Sequence, residues 1–331
     1  MSAARDDQRA YQAAVRVADK LCAGVGPIEH PRPPASDPDA APGGSQQYLP
    51  VPPGRLAVVI DVDGTLLRSN GSVSTRTIDA LSAVSRLGHE LFFATGRAVR
   101  DMCAIGQLTG HRGRSVCANG AALYDHATDT VGCTWPFAAE ALLGVVERLG
   151  RSIPDLILAV ELVEGLRFVA GFPLSTQRIG GHLVTTVDEL LSTDVLQILA
   201  WHPWLPREKF SSLVCSVVSG HAEASWGNGL GVVEINAPGV NKGSTVAEIV
   251  TSVGLSADSV IAFGDMPNDL ALLTWAGTAY AMRIAHPQVL ATIAHRAPDN
   301  DHDGVACVLE HLHTRASPSV GADWAEQARD G

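Results

Sequence analysis

Four short pieces of the chain carry residues able to do chemistry together: Asp61-Val62-Asp63-Gly64-Thr65, Thr95-Gly96-Arg97, Lys242, and Gly264-Asp265-Met266-Pro267-Asn268-Asp269. The first, second and fourth directly follow apolar runs, Leu56 to Ile60, Leu91 to Ala94 and Val260 to Phe263. Polar residues that close buried strands can gather at one edge of a parallel sheet, which is where such sheets bind ligands. Carboxylates, a hydroxyl and a lysine gathered there suit a magnesium ion, a phosphate and a carboxylate nucleophile. Phosphate transfer or hydrolysis is therefore the leading reading.

Asp61 and Asp63 lie two apart, and in an extended chain both side chains point to one side. Carboxylates placed that close repel, so a cation beside them is expected. Gly64 permits a sharp turn, and Thr65 offers a hydroxyl and an N–H to phosphate oxygens. Thr95 and Gly96 stand at a strand-to-helix junction, where N–H groups and the helix dipole attract anions. Arg97 reads equally as a phosphate ligand or as a surface helix residue. Lys242 opens a helix, an end whose dipole disfavours a cation unless the ammonium faces an anion. Asp265 lands at a strand tip, and Asn268 and Asp269 begin the next helix, where such residues are also good caps. Each piece alone has an ordinary explanation as a turn, a cap or a solvated lysine. Their combination, in compatible order at strand ends, points to one site.

The elements needed to position these residues follow from the pattern. Leu56 to Ile60 reads as a central parallel strand covered on both faces. Ser74 can cap a helix with Ile78, Leu81, Val84 and Leu87 on one face, stopped by Gly88. A second strand at Leu91 to Ala94, a helix over 98–109, a third strand from Ser115 to Ala118 and the turn dipeptide Asn119-Gly120 follow, then a hairpin through Leu123-Tyr124 and Val131 to Thr134. After Trp135 the pattern changes to hairpins mixed with helices: 139–149 helical, Leu156 to Val163 and Arg167 to Ala170 strands, Val195 to Trp201 a strand, Arg207 to Val217 a helix, and His221 to Trp226 a strand. Strand–helix alternation is expected to resume at Val232 to Ile235, with a helix from Gly243 to Val253, a strand at Val260 to Phe263, a helix over Leu270 to Trp275, and short elements at Ala279 to Met282 and Ala297. The expected fold is α/β: a Rossmann-like parallel-sheet core of 55–135 and 234–313, with an inserted α+β cap of 136–233. Residues 5–22 could form a short helix. The Pro-, Gly-, Ser- and Asp-rich remainder of 1–54 reads as a linker unable to offset the entropy of ordering, and 314–331 as a polar tail.

Composition narrows the partners. The 331 residues are 46% hydrophobic and carry a formal net charge of −11, which argues against nucleic acid or an anionic membrane surface. A small phosphorylated metabolite stays compatible, because a metal and a few cations can reverse the sign inside one cleft. Lysine occurs only at 20, 209 and 242, against 21 arginines. Six scattered cysteines form no Cys-x-x-Cys pair and read as reduced thiols. No apolar run approaches the ~20 residues of a membrane span, and no signal core follows the charged start, so a cytoplasmic protein is expected. Nothing bears on the oligomeric state.

Taken together, the four pieces resemble the haloacid dehalogenase superfamily of phosphatases. Asp61-Val-Asp63-Gly-Thr65-Leu is similar to its first motif, Thr95-Gly96-Arg97 to its second, Lys242 to its third, and Gly264-Asp265 with Asn268-Asp269 to its fourth. The insertion before Lys242, the Asn119-Gly120 turn and Asn300-Asp-His-Asp-Gly304-Val-Ala resemble the Cof-like branch with a type-IIB cap, over roughly 55–313. Two departures stand out. Met266-Pro267 replaces a Gly-containing spacer, and Met282-Arg283-Ile-Ala285 stands where Met-Gly-Asn-Ala is common. The resemblance implies that Asp61 is the nucleophile and Asp63 the general acid and base. It implies that Thr95 and Lys242 stabilise the phosphoryl oxygens, with Thr65, Gly96, Arg97 and Asn268 contacting substrate. It also implies Mg2+ held by Asp61, Asp63 through its backbone carbonyl, Asp265 and Asp269. A phosphomutase and a catalytically silent sensor of phosphorylated ligands share most of these residues, and the intact Asp61 and Asp63 speak against the sensor. The cap offers Glu161, Arg167, Arg178, His182 and His202 as polar candidates, each read first as a surface or structural residue.

Overall fold

The computed structural model describes residues 54–173, 181–184, 187–191, 194–226 and 231–316. The expected helix at 5–22, Arg178 and the end of the tail lie outside them.

Two sheets organise the chain. The larger has eight strands: β1 (Ala57–Ile60), β2 (Glu90–Ala94), β3 (Arg114–Cys117), β4 (Ala122–Asp125), β5 (Thr130–Thr134) and, after the insertion, β12 (Val260–Gly264), β13 (Thr278–Met282) and β14 (His295–Ala297). The smaller has β6 (Ile157–Leu162), β7 (Gly165–Phe168), β8 (His182–Leu183), β9 (Gln197–Trp201), β10 (Glu223–Ser225) and β11 (Val233–Asn236). The helices are α1 (Thr75–Arg86), α2 (Met102–Thr109), α3 (Ala139–Ser152), α4 (Val187–Leu190), α5 (Arg207–Val218), α6 (Lys242–Ser252), α7 (Leu270–Trp275), α8 (Pro287–Thr292) and α9 (Gly304–Ala316).

The large sheet runs β14-β13-β12-β1-β2-β3-β4-β5 and is parallel from β14 to β3, with β4 and β5 turning back. All four residues of β1 are buried, as a strand covered on both faces requires. Its neighbours β12 and β2 place Phe263 and Phe93 level with Ile60, so the polar residues after these strands emerge at one edge. α1 packs against α9, and α6 against α7. The Ser74 side chain caps α1 by accepting from the Thr77 N–H, as its position suggested. Leu87, expected on the buried face, is instead the C-cap residue and exposed. The span expected as one helix over 98–109 opens as a 3-10 turn at Val99–Asp101. α8 and the short β8 had no counterpart in the expectation.

The main correction concerns 232–235. This strand is β11, and it does not join the large sheet. It pairs antiparallel with β9 (Val233 opposite Ala200) and with β10 in the small one. Val233 and Ile235 pack into the helix-covered core with Val160, Ile198, Phe210 and Val214, while Glu234 and Asn236 take the opposite face. The second sheet therefore runs to 236, past the expected edge at 233. At the other end α9 continues to Ala316, into the span expected as a tail. No helix among the described residues is long and apolar enough to cross a membrane.

Candidate active site

Asp61 follows β1 directly and is 4% exposed. Its N–H donates to the Phe263 carbonyl at 3.1 Å, which ties the tip of β1 to the tip of β12. Lys242 is the first residue of α6. Asn241 caps that helix, its side chain accepting from the Ser244 N–H while the Ser244 hydroxyl accepts from the Asn241 N–H. The cap sets the rotation of the first turn and sends the Lys242 stem inward, where the residue is 0% exposed. Its Nζ donates to Asp61 Oδ1 and to Asp269 Oδ1, both at 2.6 Å. A cation at a helix start and out of water is unfavourable on both counts, and two carboxylates in contact offset the cost. Burial works against the ammonium, but Asp269 and Asp61 outweigh it and hold it above its usual range.

Asp269 organises the fourth piece. Its Oδ2 accepts from the N–H groups of Asp265 and Met266, each at 3.0 Å, closing the turn between β12 and α7. Gly264 allows that closure, since a Cβ there would lie 2.6 Å from Asp269 Cβ. Met266-Pro267 does not disturb the spacing: Pro267 opens the short 3-10 turn that delivers Asp269. The Arg283 departure is absorbed by a pair with Asp299 at 2.9 Å, and nearby the His286 N–H supports the Asp265 carbonyl at 2.7 Å. Thr65 is buried and donates its hydroxyl to Asp265 Oδ1 at 3.2 Å.

Asp61, Asp265 and Asp269 each bring a carboxylate oxygen within 4.8 Å of the others. Burial, then Asp269, raises the Asp61 carboxyl well above its usual value, with Asp265 adding to it and Lys242 opposing. Three carboxylates and one ammonium leave two uncompensated negative charges, the charge of one divalent cation. Asn268 Oδ1 is also buried with no partner among protein atoms. Hard oxygen donors in this number fit a magnesium-type ion.

Asp63 is placed differently from expectation. Its carboxylate is not one of the three clustered acids and takes two hydrogen bonds from Arg97, Nε to Oδ2 at 2.7 Å and Nη2 to Oδ1 at 2.6 Å. The chain has already left the regular strand, with turn residues at 62 and 64–66 and an isolated bridge from Asp63 to Leu67. Arg97 is thus neither a solvated helix residue nor, in this state, a free anion ligand. The side chains are 34% and 46% exposed, so the pair adds little stability and can exchange partners. Thr95 is buried, its hydroxyl accepting from the Arg97 N–H at 3.0 Å. Gly96 lies against Asn119 and Glu234.

Neither of those last two residues was given a role in the site from the sequence. Asn119 read as a turn and Glu234 as part of a core strand. Asn119 Nδ2 donates to Glu234 Oε2 at 2.5 Å, and Asn268 Nδ2 donates to Asn119 Oδ1 at 3.0 Å. Burial raises the Glu234 carboxyl, moderated by Asn119 and Lys242. The polar position inside the apolar Val233-Glu234-Ile235 alternation was the available signal. Of the cap candidates, Glu161 is 3% exposed and pairs with Arg100 of the core, while burial raises its carboxyl to about 7. Arg167 bonds Glu164 and the Glu189 carbonyl, and His202 braces the Pro154 carbonyl and the Trp204 and Leu205 N–H groups. Both are structural. His182 is exposed in β8.

Residues 58–149 and 203–309 match the family of haloacid dehalogenase-like hydrolases. The pyridoxal phosphate phosphatase YbhA of Escherichia coli K12 is 28% identical over 269 residues, covering 77% of this chain and 98% of its own. SMU.1108c from Streptococcus mutans UA159 superposes with a TM-score of 0.69 at 19% identity, over 79% of this chain and all of that one. The subclass IIB sugar phosphatase BT4131 superposes with a TM-score of 0.65 at 20% identity, over 78% and 99%. The chain belongs to the haloacid dehalogenase-like hydrolases.

Proposed function

We propose that the protein is a magnesium-dependent phosphatase that hydrolyses a small phosphorylated metabolite through an aspartyl-phosphate on Asp61. The observation that carries this is the buried contact of Asp61 with Lys242 beside Asp265 and Asp269. Lys242 holds one Asp61 oxygen and orients the carboxylate. Asp61 attacks phosphorus while the bond to the leaving oxygen breaks, and Asp63, protonated, gives that oxygen its proton. Asp63 then removes a proton from water, which attacks the aspartyl-phosphate and releases inorganic phosphate with Asp61 restored. Arg97 exchanges Asp63 for a phosphoryl oxygen, and Thr95, Gly96 and Thr65 line the same edge. Asp61, Asp265 and Asp269, with the Asp63 carbonyl, would hold the metal, which when bound lowers the repulsion between carboxylate and phosphate.

On this reading the core spans 55–135 and about 237–313, and the inserted cap between them selects the leaving group. Relatives named for pyridoxal phosphate and for sugar phosphates support the substrate class, and sugar phosphates are the first candidates. The test is release of phosphate from an aryl phosphate with and without magnesium, in the wild-type protein and Asp61→Asn. The expected loss in the variant and under chelation is at least about a thousandfold. Equal rates in both proteins defeat the proposal.

A further inference from the structure

We infer that Glu234, on β11 of the small sheet, is a positioning residue that sets the direction of the Asn119 and Asn268 amides at the active-site edge. This rests on the phosphatase reading of the same site.

The turn at 118–120 is a junction. Ala118 and Asn119 both have positive φ, 47° and 51°, which is uncommon for residues other than glycine and persists only where the surroundings enforce it. The Ala118 N–H donates to the Arg97 carbonyl at 2.8 Å and the Asn119 N–H to the Thr95 carbonyl at 3.0 Å, so the turn leans on the second motif. Thr245 of α6 donates to the Gly120 carbonyl at 2.8 Å. From the small sheet, Asn236 Nδ2 donates to the Ala118 carbonyl at 2.7 Å. Glu234, two residues earlier on the same face, takes the Asn119 amide.

The donors and acceptors then have one direction. Glu234 Oε2 accepts from Asn119, so Asn119 turns Nδ2 toward it and presents Oδ1 to Asn268. Asn268 must answer with Nδ2. Its Oδ1 is left buried and without a protein partner, beside Asp269 of the acid cluster. Asn268 is therefore left with a fixed buried acceptor, which a cation or a water can take and a phosphoryl oxygen, itself an acceptor, cannot. Removing Glu234 lets both amides turn over, with no change in the residues that touch substrate. Gly96 leaves the space: a Cβ there would lie 3.1 Å from Glu234 Oε2 and 3.2 Å from Asn119 Oδ1.

The experiment is a double-mutant cycle on phosphate release with Glu234→Ala, Asn119→Ala and the pair, and with Glu234→Gln as the conservative variant. Each single alanine variant is expected to lower kcat roughly tenfold with KM within about twofold. The double variant should be no slower than Asn119→Ala alone, and Glu234→Gln, whose carbonyl can take the Asn119 bond, should regain most of the rate. Losses that multiply, or full activity in Glu234→Ala, overturn the inference. A second readout does not depend on turnover. The chain has seven asparagines, so asparagine-selective isotope labelling gives few side-chain amide signals. The Asn268 amide signal should move in Glu234→Ala and stay near its place in Glu234→Gln; an unmoved signal in Glu234→Ala overturns the inference. A wild-type protein that releases no phosphate defeats the phosphatase reading and leaves this second result to judge the relay.

Discussion

Lys242 shows what a single buried charge does here. Its ammonium is sealed from solvent and touches two carboxylates, so it compensates charge and orients Asp61 at once. Lys242→Met keeps most of the stem volume but leaves Asp61 and Asp269 facing each other without a cation. The expected result is loss of activity and a stability loss on the order of 3 kcal/mol by urea unfolding. Unchanged turnover would show that the contact is dispensable. Gly264 gives a sharper geometric case. Gly264→Ala puts a methyl into the Asp269 side chain and must displace the turn that carries Asp265. Turnover should fall by roughly a hundredfold or more, since small misplacements at a reacting centre are costly. A fully active Gly264→Ala enzyme would mean that the turn tolerates the shift.

At the level of elements, the site loops were readable because each follows a strand that is apolar on both faces. β1, β2 and β12 end where polar residues begin, and a helix cap at Asn241 brings Lys242 to the same edge. Strand pairing was less readable. Val232 to Ile235 looks like a core strand by composition, and only its antiparallel partner β9 reveals which sheet it joins. That choice hid Glu234, whose side chain matters because of the face it takes. Asn119 hid for a different reason: a positive φ turn is legible in Asn-Gly, but its side-chain partners come from segments 115 and 149 residues away. The Asp63 placement was also beyond spacing arguments, since it depends on where Arg97 reaches from the next loop. β11, β9 and β6 carry a buried polar row, Asn236, Gln197 and Glu161, across the face toward the core. Arg100 meets Glu161 at one end, and the Ala118 carbonyl meets Asn236 at the other.

The whole molecule is two sheets whose contact includes a carboxyl that burial holds near neutral titration. Glu161 takes up its proton at about 7 when folded, against 4.5 ordinarily, with Arg100 opposing the shift and Asp101 adding to it. The folded state therefore binds more protons than the unfolded state between those values, and stability falls as pH rises through that window. The slope from this group is at most about 1.4 kcal/mol per pH unit. Glu161→Gln should flatten the decline in unfolding free energy between about pH 5 and 7.5, and an identical slope in both proteins would remove Glu161 as its source. The central claim, however, is covalent chemistry on Asp61. Its most direct test is acid-quenched turnover with magnesium and a phosphate monoester, followed by mass spectrometry of the peptide containing Asp61. A phosphoryl group on Asp61, absent in Asp61→Asn, is the predicted result; phosphate release with no phosphorylated Asp61, or with the group on another residue, would contradict the account.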